Sequence, residues 1–168
     1  MSPPGAQNLV RLIELDDETK TVSNIANFAL AIPPFNYLSA IKMCKEKVAM
    51  GLDLETALKA VNKSGAPEGR KYNADLVGAF YKYDESRRYS DGMVVENYNG
   101  QYRVSRDISV PTNPTFTIVE KSKQVPIILC GWKNFSLTRT QQRMWMTMLE
   151  SGLFSFGDYR HSPAEVVL

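Results

Sequence analysis

One histidine, two cysteines and a run of interleaved basic and aromatic residues bound the chemistry open to this chain. The histidine is His161, in Asp158-Tyr159-Arg160-His161-Ser162, so any imidazole chemistry must use it. An Asp, a His and a Ser so close in sequence do not make a triad, which is drawn from distant positions and defined by geometry. Ahead of Pro163 the segment reads as a surface turn. Cys44 and Cys130 stand far apart, and no His/Cys/carboxylate spacing matches a metal site. No glycine-rich phosphate loop follows any predicted strand. No catalytic residue is assigned, and no cofactor or metal is expected.

Two features remain that could carry binding. Arg70, Lys71, Tyr72, Tyr81, Lys82, Tyr83, Arg87, Arg88 and Tyr89 interleave cations with aromatics, a mixture able to stack on bases while neutralising phosphates. Asp75, Asp84 and Glu85 dilute it, and tyrosines at helical spacing also serve a core. It reads as a partner surface, for protein or nucleic acid. Arg106 is the second feature. In the alternation Tyr102, Val104, Arg106, Ile108, Val110 it falls on the apolar face of a strand. A buried guanidinium needs a carboxylate, carbonyl groups or a bound anion, so Arg106 is an ion-pair or anion-binding candidate.

The elements that would position these residues begin with two β-hairpins, Met93–Val110 and Thr115–Trp132. Asn99-Gly100 is the dipeptide favoured in a type I′ turn. A two-residue turn there sets Glu96 against Arg103, Val95 against Val104 and Met93 against Arg106. The second hairpin turns at Lys121-Ser122-Lys123, and Val125–Trp132 is apolar on both faces, as expected of a covered strand. Pro126, with no N–H to donate, belongs near that strand's beginning.

Helices flank the hairpins. Leu9–Leu15 reads as a strand after a loose arm at 1–8. Val22, Ile25, Ala26 and Ala29 have helical spacing, with Thr21 as N-cap. A helix runs over Asn36–Met50 with Gly51 as its stop, and Asp53 caps a shorter one carrying Leu54, Ala57, Leu58 and Val61. Two helices about a glycine turn suggest a DNA-binding unit, but Glu55 on the second opposes phosphate and no basic run follows. A plain helical subdomain is the better reading. Residues 66–71 read as a loop, with Asn73 capping a third helix that holds Leu76, Val77, Phe80 and Tyr81. Thr138 and Gln141 form a capping-box pattern for a helix over 138–152. Residues 164–168 offer a last short strand.

With 43% hydrophobic and 23% charged residues and a net charge of +2, composition is that of an ordinary globular chain. The near-balanced charge gives no electrostatic argument for nucleic acid or an anionic membrane. No apolar run is long enough to cross a bilayer, and Met1-Ser2-Pro3-Pro4-Gly5 lacks the features of a signal peptide. The expected fold is α+β in a single domain over 1–168: a helical part at 21–89, an antiparallel four-stranded meander at 92–132, and the 138–152 helix packed on the sheet. The leading functional expectation is a non-catalytic cytoplasmic interaction or regulatory module that binds another protein. The alternatives are a nucleic-acid-binding regulator using the 70–89 surface, and an enzyme with a site assembled around Arg106.

Overall fold

The computed structural model describes residues 4–89, 93–95, 100–131, 136–155, 157–160 and 162–167. The helices are α1 (Ala6–Leu12), α2 (Glu18–Leu30), α3 (Leu38–Met50), α4 (Leu54–Lys63), α5 (Pro67–Arg87) and α6 (Arg139–Gly152). The strands are β1 (Met93–Val95), β2 (Gln101–Arg103), β3 (Ser109–Pro111), β4 (Phe116–Glu120), β5 (Lys123–Leu129) and β6 (Glu165–Val167). The class is α+β. The chain divides into two compact units, one from Pro33–Asn97, Pro114–Phe135 and Ser162–Leu168, the other from Met1–Ile32, Tyr98–Asn113 and Ser136–His161.

The first of these units holds a mixed sheet in the order β1-β4-β5-β6. The expected all-antiparallel meander is corrected here. β4 and β5 do form the predicted hairpin, with Glu120 opposite Lys123 and a turn at Lys121-Ser122, whose φ angles of 49° and 64° give two left-handed positions. But β1 pairs antiparallel with β4, setting Val95 against Thr117, and β6 pairs parallel with β5. The proposed facings of Val95 on Val104 and Met93 on Arg106 are therefore not formed. Pairing on β4 places Val94 opposite Ile118 and against the core, a gain in burial that a local hairpin would not give. Asn99 and Glu96 lie outside the described residues, and with them the expected turn and the Glu96–Arg103 pair. Pro126 sits inside β5 opposite Thr117, not at its start.

Helices α3, α4 and α5 pack together beside this sheet. Phe80, Val77, Cys44 and Val61 meet Phe116, Ile118 and Ile127 in one core. Local chemistry sets the helix ends. Asp53 Oδ1 accepts from Thr56 N at 2.9 Å, and Gly51 closes α3 at φ 68°, where a side chain would be strained. The segment read as a loop before Asn73 is already helix, because Pro67 occupies the first helical position, where its missing N–H costs nothing. Asn73 is therefore no cap; it lies buried inside α5. Asp84 pairs with Lys47 at 3.5 Å, and Arg88 ends the helix at φ 52°.

The second unit joins α1, α2 and α6 to a two-stranded ribbon of β2 and β3. The stretch at Leu9–Leu15 is corrected from strand to helix: α1 begins at Ala6, and Ala6 and Val10, one turn apart, are its buried residues. Short apolar runs leave that choice open. α2 starts earlier than expected, with Asp17 accepting from Lys20 N at 2.8 Å, instead of Thr21. The capping box of Thr138 and Gln141 is present. α6 packs on α1 and β2, and its end rests on the ribbon. A Cβ at Gly152 would stand 2.5 Å from Thr112 Oγ1, so only glycine permits that approach.

Candidate functional site

Helix α5 carries most of the basic and aromatic residues singled out by the sequence, yet it does not assemble them into one surface. Its 21 residues span about 30 Å, so Arg70 and Lys71 are nearly a helix length from Arg87. Tyr72 stacks flat on Phe35, with centroids 5.1 Å apart. Arg70 is half-buried, and its Nε has no hydrogen-bond partner among the described residues. Lys71, Lys82 and Arg88 are exposed.

The other end of α5 is a buried charge cluster. Arg87 donates from Nε to Glu165 Oε1 and from Nη2 to Glu120 Oε2, each at 2.7 Å. Glu120 closes β4 and Glu165 opens β6, so one guanidinium on α5 ties an inner strand of the sheet to its edge strand β6. The Tyr89 hydroxyl donates to Glu165 Oε2, and the guanidinium lies 5.0 Å from the Tyr89 ring centre. Hydrogen bonding to Glu165, then to Glu120, holds Arg87 above the ordinary arginine range. Burial, reinforced by Glu165, pushes the Tyr89 phenol upward and that of Tyr83 up to about 12. Such a cluster favours the guanidinium cation and neutral phenols. Its donors are spent on internal carboxylates, so Tyr83, Arg87 and Tyr89 act as a clasp between helix and sheet.

Arg106 is not on a buried strand face. The run Val104–Ile108 is the tip of the β2–β3 hairpin, where Val104 N bonds Ile108 O at 2.9 Å and Asp107 N bonds Ser105 Oγ at 3.4 Å. Ser and Asp favour such turns because their side chains satisfy nearby backbone, and that preference overrides the strand alternation. Arg106 is exposed there, with its carbonyl accepting from Arg103 Nη2 at 3.3 Å. His161 lies outside the described residues. Among the described residues no group of three or more His, Cys, Asp or Glu could hold a metal ion, and no helix is long and apolar enough to cross a membrane.

A pocket of about 410 Å³ opens where α3 and α5 begin, walled by Pro33, Phe35, Leu38 and Ala66. Its polar floor is Asn73, buried to 4% exposure. Asn73 Oδ1 accepts from Ser39 Oγ and Ala40 N, and its amide donates to the carbonyls of Asn36 and Gly69. The amide thus fastens the start of α3 to α5.

The feature that sequence reasoning missed is the orientation of α2. None of its residues is buried. Its half-buried side, made of Thr21, Asn24, Ile25 and Ala29, faces its own fold: Thr21 Oγ1 accepts from Glu14 N at 2.8 Å and donates to Glu14 O, and Asn24 donates to Leu12 O at 3.2 Å. Val22, Ala26 and Leu30, at successive steps of four, form an exposed apolar stripe. Val22 is 60% exposed and Leu30 75%, followed by Ile32 at 92%. The residues whose spacing predicted the helix are divided between its sides: Ile25 and Ala29 are half-buried, and Val22 and Ala26 are exposed. A signal was present, for no residue from Thr21 to Ile41 is charged. No protein-family model, curated protein or solved structure matches this chain.

Proposed function

We propose that this chain is a non-catalytic interaction module that binds another protein chain, with α2 as its docking element. One observation carries the reading: α2 buries none of its residues, and Val22, Ala26 and Leu30 stand exposed on its outer side. Covering apolar surface is worth about 25 cal/mol per Å², and exposed apolar patches of this kind mark docking sites. The uncharged run from Thr21 to Ile41 suits the charge-poor centre of a protein interface. It offers nothing to phosphates, which disfavours nucleic acid as the ligand of this face. Two buried cysteines that form no disulfide suit a reducing compartment such as the cytoplasm.

The test is a photo-crosslinking residue at Ala26 in the full chain, irradiated in native extract. A covalent adduct with a protein chain is expected. It should disappear when Val22→Asp and Leu30→Asp are added, while the melting temperature holds because both side chains are exposed. No protein adduct at Ala26 overturns the reading.

A further inference from the structure

We infer that the pocket at the start of α3 and α5 binds a small neutral molecule, apolar over most of its surface and bearing one N–H or O–H donor. The inference does not depend on the docking role of α2. The walls of the pocket are held by the fold itself. Pro33 and Pro34 have φ fixed by their rings. Phe35 lies directly against α5: a Cβ at Gly69 would stand 2.5 Å from Phe35 Cβ, so only glycine permits that seat. Tyr72 then stacks on the Phe35 ring, and Tyr37 meets it edge-on at 5.4 Å. The volume of about 410 Å³ falls at the small end of ligand pockets, roughly 300–1,000 Å³, and suits a ring-sized molecule.

The protons at the floor decide what the ligand must offer. Asn73 Oδ1 accepts from Ser39 Oγ at 2.9 Å and from Ala40 N at 3.0 Å, and its amide donates to Asn36 O and Gly69 O at 2.9 Å each. A side-chain amide has two donors and two acceptor positions, so Asn73 is fully used. Ser39 gives its single hydroxyl proton to Asn73, and its oxygen keeps acceptor capacity alone. A ligand that bonds Ser39 Oγ must therefore donate.

Charge narrows the class further. Two helix starts would ordinarily favour an anion, but here they are already satisfied. Leu38 N is taken by Asn36 Oδ1 and Ala40 N by Asn73. Pro67 has no N–H, and Glu68 sets a negative charge in the first turn of α5. A cation finds no counter-charge, since no charged side chain lines the pocket among the described residues. Leu38 lines it together with Pro33, Pro34 and Phe35 and is 68% exposed, so a ring seated there removes apolar surface from water.

The experiment titrates the full chain with indole, a neutral ring with one N–H, and follows the backbone amides by NMR. 1-Methylindole, which lacks the donor, and benzoate, an anion, are the comparisons. Indole should give saturable shifts at millimolar concentration, centred on residues 33–39, 65–66 and 73. 1-Methylindole should bind about fivefold more weakly, the effect of one net hydrogen bond, and benzoate should not saturate. Ser39→Ala leaves Ala40 N on Asn73 Oδ1; it should weaken indole about fivefold and leave 1-methylindole unchanged. Leu38→Ala, at an exposed position, should weaken both alike. Equal affinities of the two indoles for the wild type, or an equal loss of both in Ser39→Ala, overturn the donor requirement. Benzoate binding more tightly than indole overturns the neutral class. Indole and 1-methylindole both without saturable shifts at these residues overturn the site.

Discussion

Replacing Arg87 by methionine tests whether charge clasps α5 to the sheet. The substitution keeps an aliphatic stem and removes both 2.7 Å contacts, to Glu120 and Glu165. Each glutamate side chain is only 10% exposed, so two carboxylates lose the Arg87 guanidinium in a poorly hydrated place. Breaking a buried pair from one side costs about 3–5 kcal/mol. The Arg87 side chain itself is 30% exposed, and water replaces part of what is lost, so the lower end of that range, about 3 kcal/mol, is expected. That is a large share of a typical domain's stability of about 5–15 kcal/mol. The assay is urea unfolding near pH 7, with Arg106→Met as the comparison. Arg106 is exposed at a hairpin tip, and its loss should change stability by no more than about 0.5 kcal/mol. Equal midpoints for Arg87→Met and Arg106→Met near pH 7 would refute the clasp.

Asn73→Leu should lower stability by about 2–3 kcal/mol, since it strands the buried Ala40 N–H and deprives the Asn36 carbonyl of its donor; a thermal melt matching wild type would show that the amide does not fasten α3 to α5. An alkaline titration reads the tyrosines. Tyr81 and Tyr83 are both raised from 10.0 to about 12, chiefly by burial. Below pH 10 their phenols are neutral in both states. Between about 10 and 12 the unfolded chain ionises while the folded one does not, so stability falls as pH rises through that window. Unfolding that begins only above pH 12, or phenolate absorbance that appears wholly near pH 10 in the folded chain, would count against these placements.

Local chemistry was legible from residues alone. Asp53 beside Thr56, Thr138 beside Gln141 and Gly51 after Met50 satisfy backbone groups within a few positions, so their roles need no distant partner. The β4–β5 hairpin belongs with them, because its turn and its two apolar runs are adjacent. Tertiary structure decided everything whose partner lies far along the chain. β1 is read from its valines, but only the core that includes Ile118 selects β4 over the strand next in sequence. Arg87, beside Arg88 in the basic-aromatic run, and Arg106, in a strand-like alternation, carry the same charge. One meets Glu120 and Glu165, from β4 and β6, and the other a turn made by Ser105 and Asp107. Asn73 has the composition of a cap and the position of a buried clamp. For α2 the spacing of Val22, Ile25, Ala26 and Ala29 marked a helix, since side chains three and four apart share a face. That Ile25 and Ala29 turn inward while Val22 and Ala26 turn out goes with the bonds of Thr21 and Asn24 to residues 12–14. Periodicity fixes the relative angles of side chains around an axis, and only contacts with the rest of the fold fix the rotation of that axis.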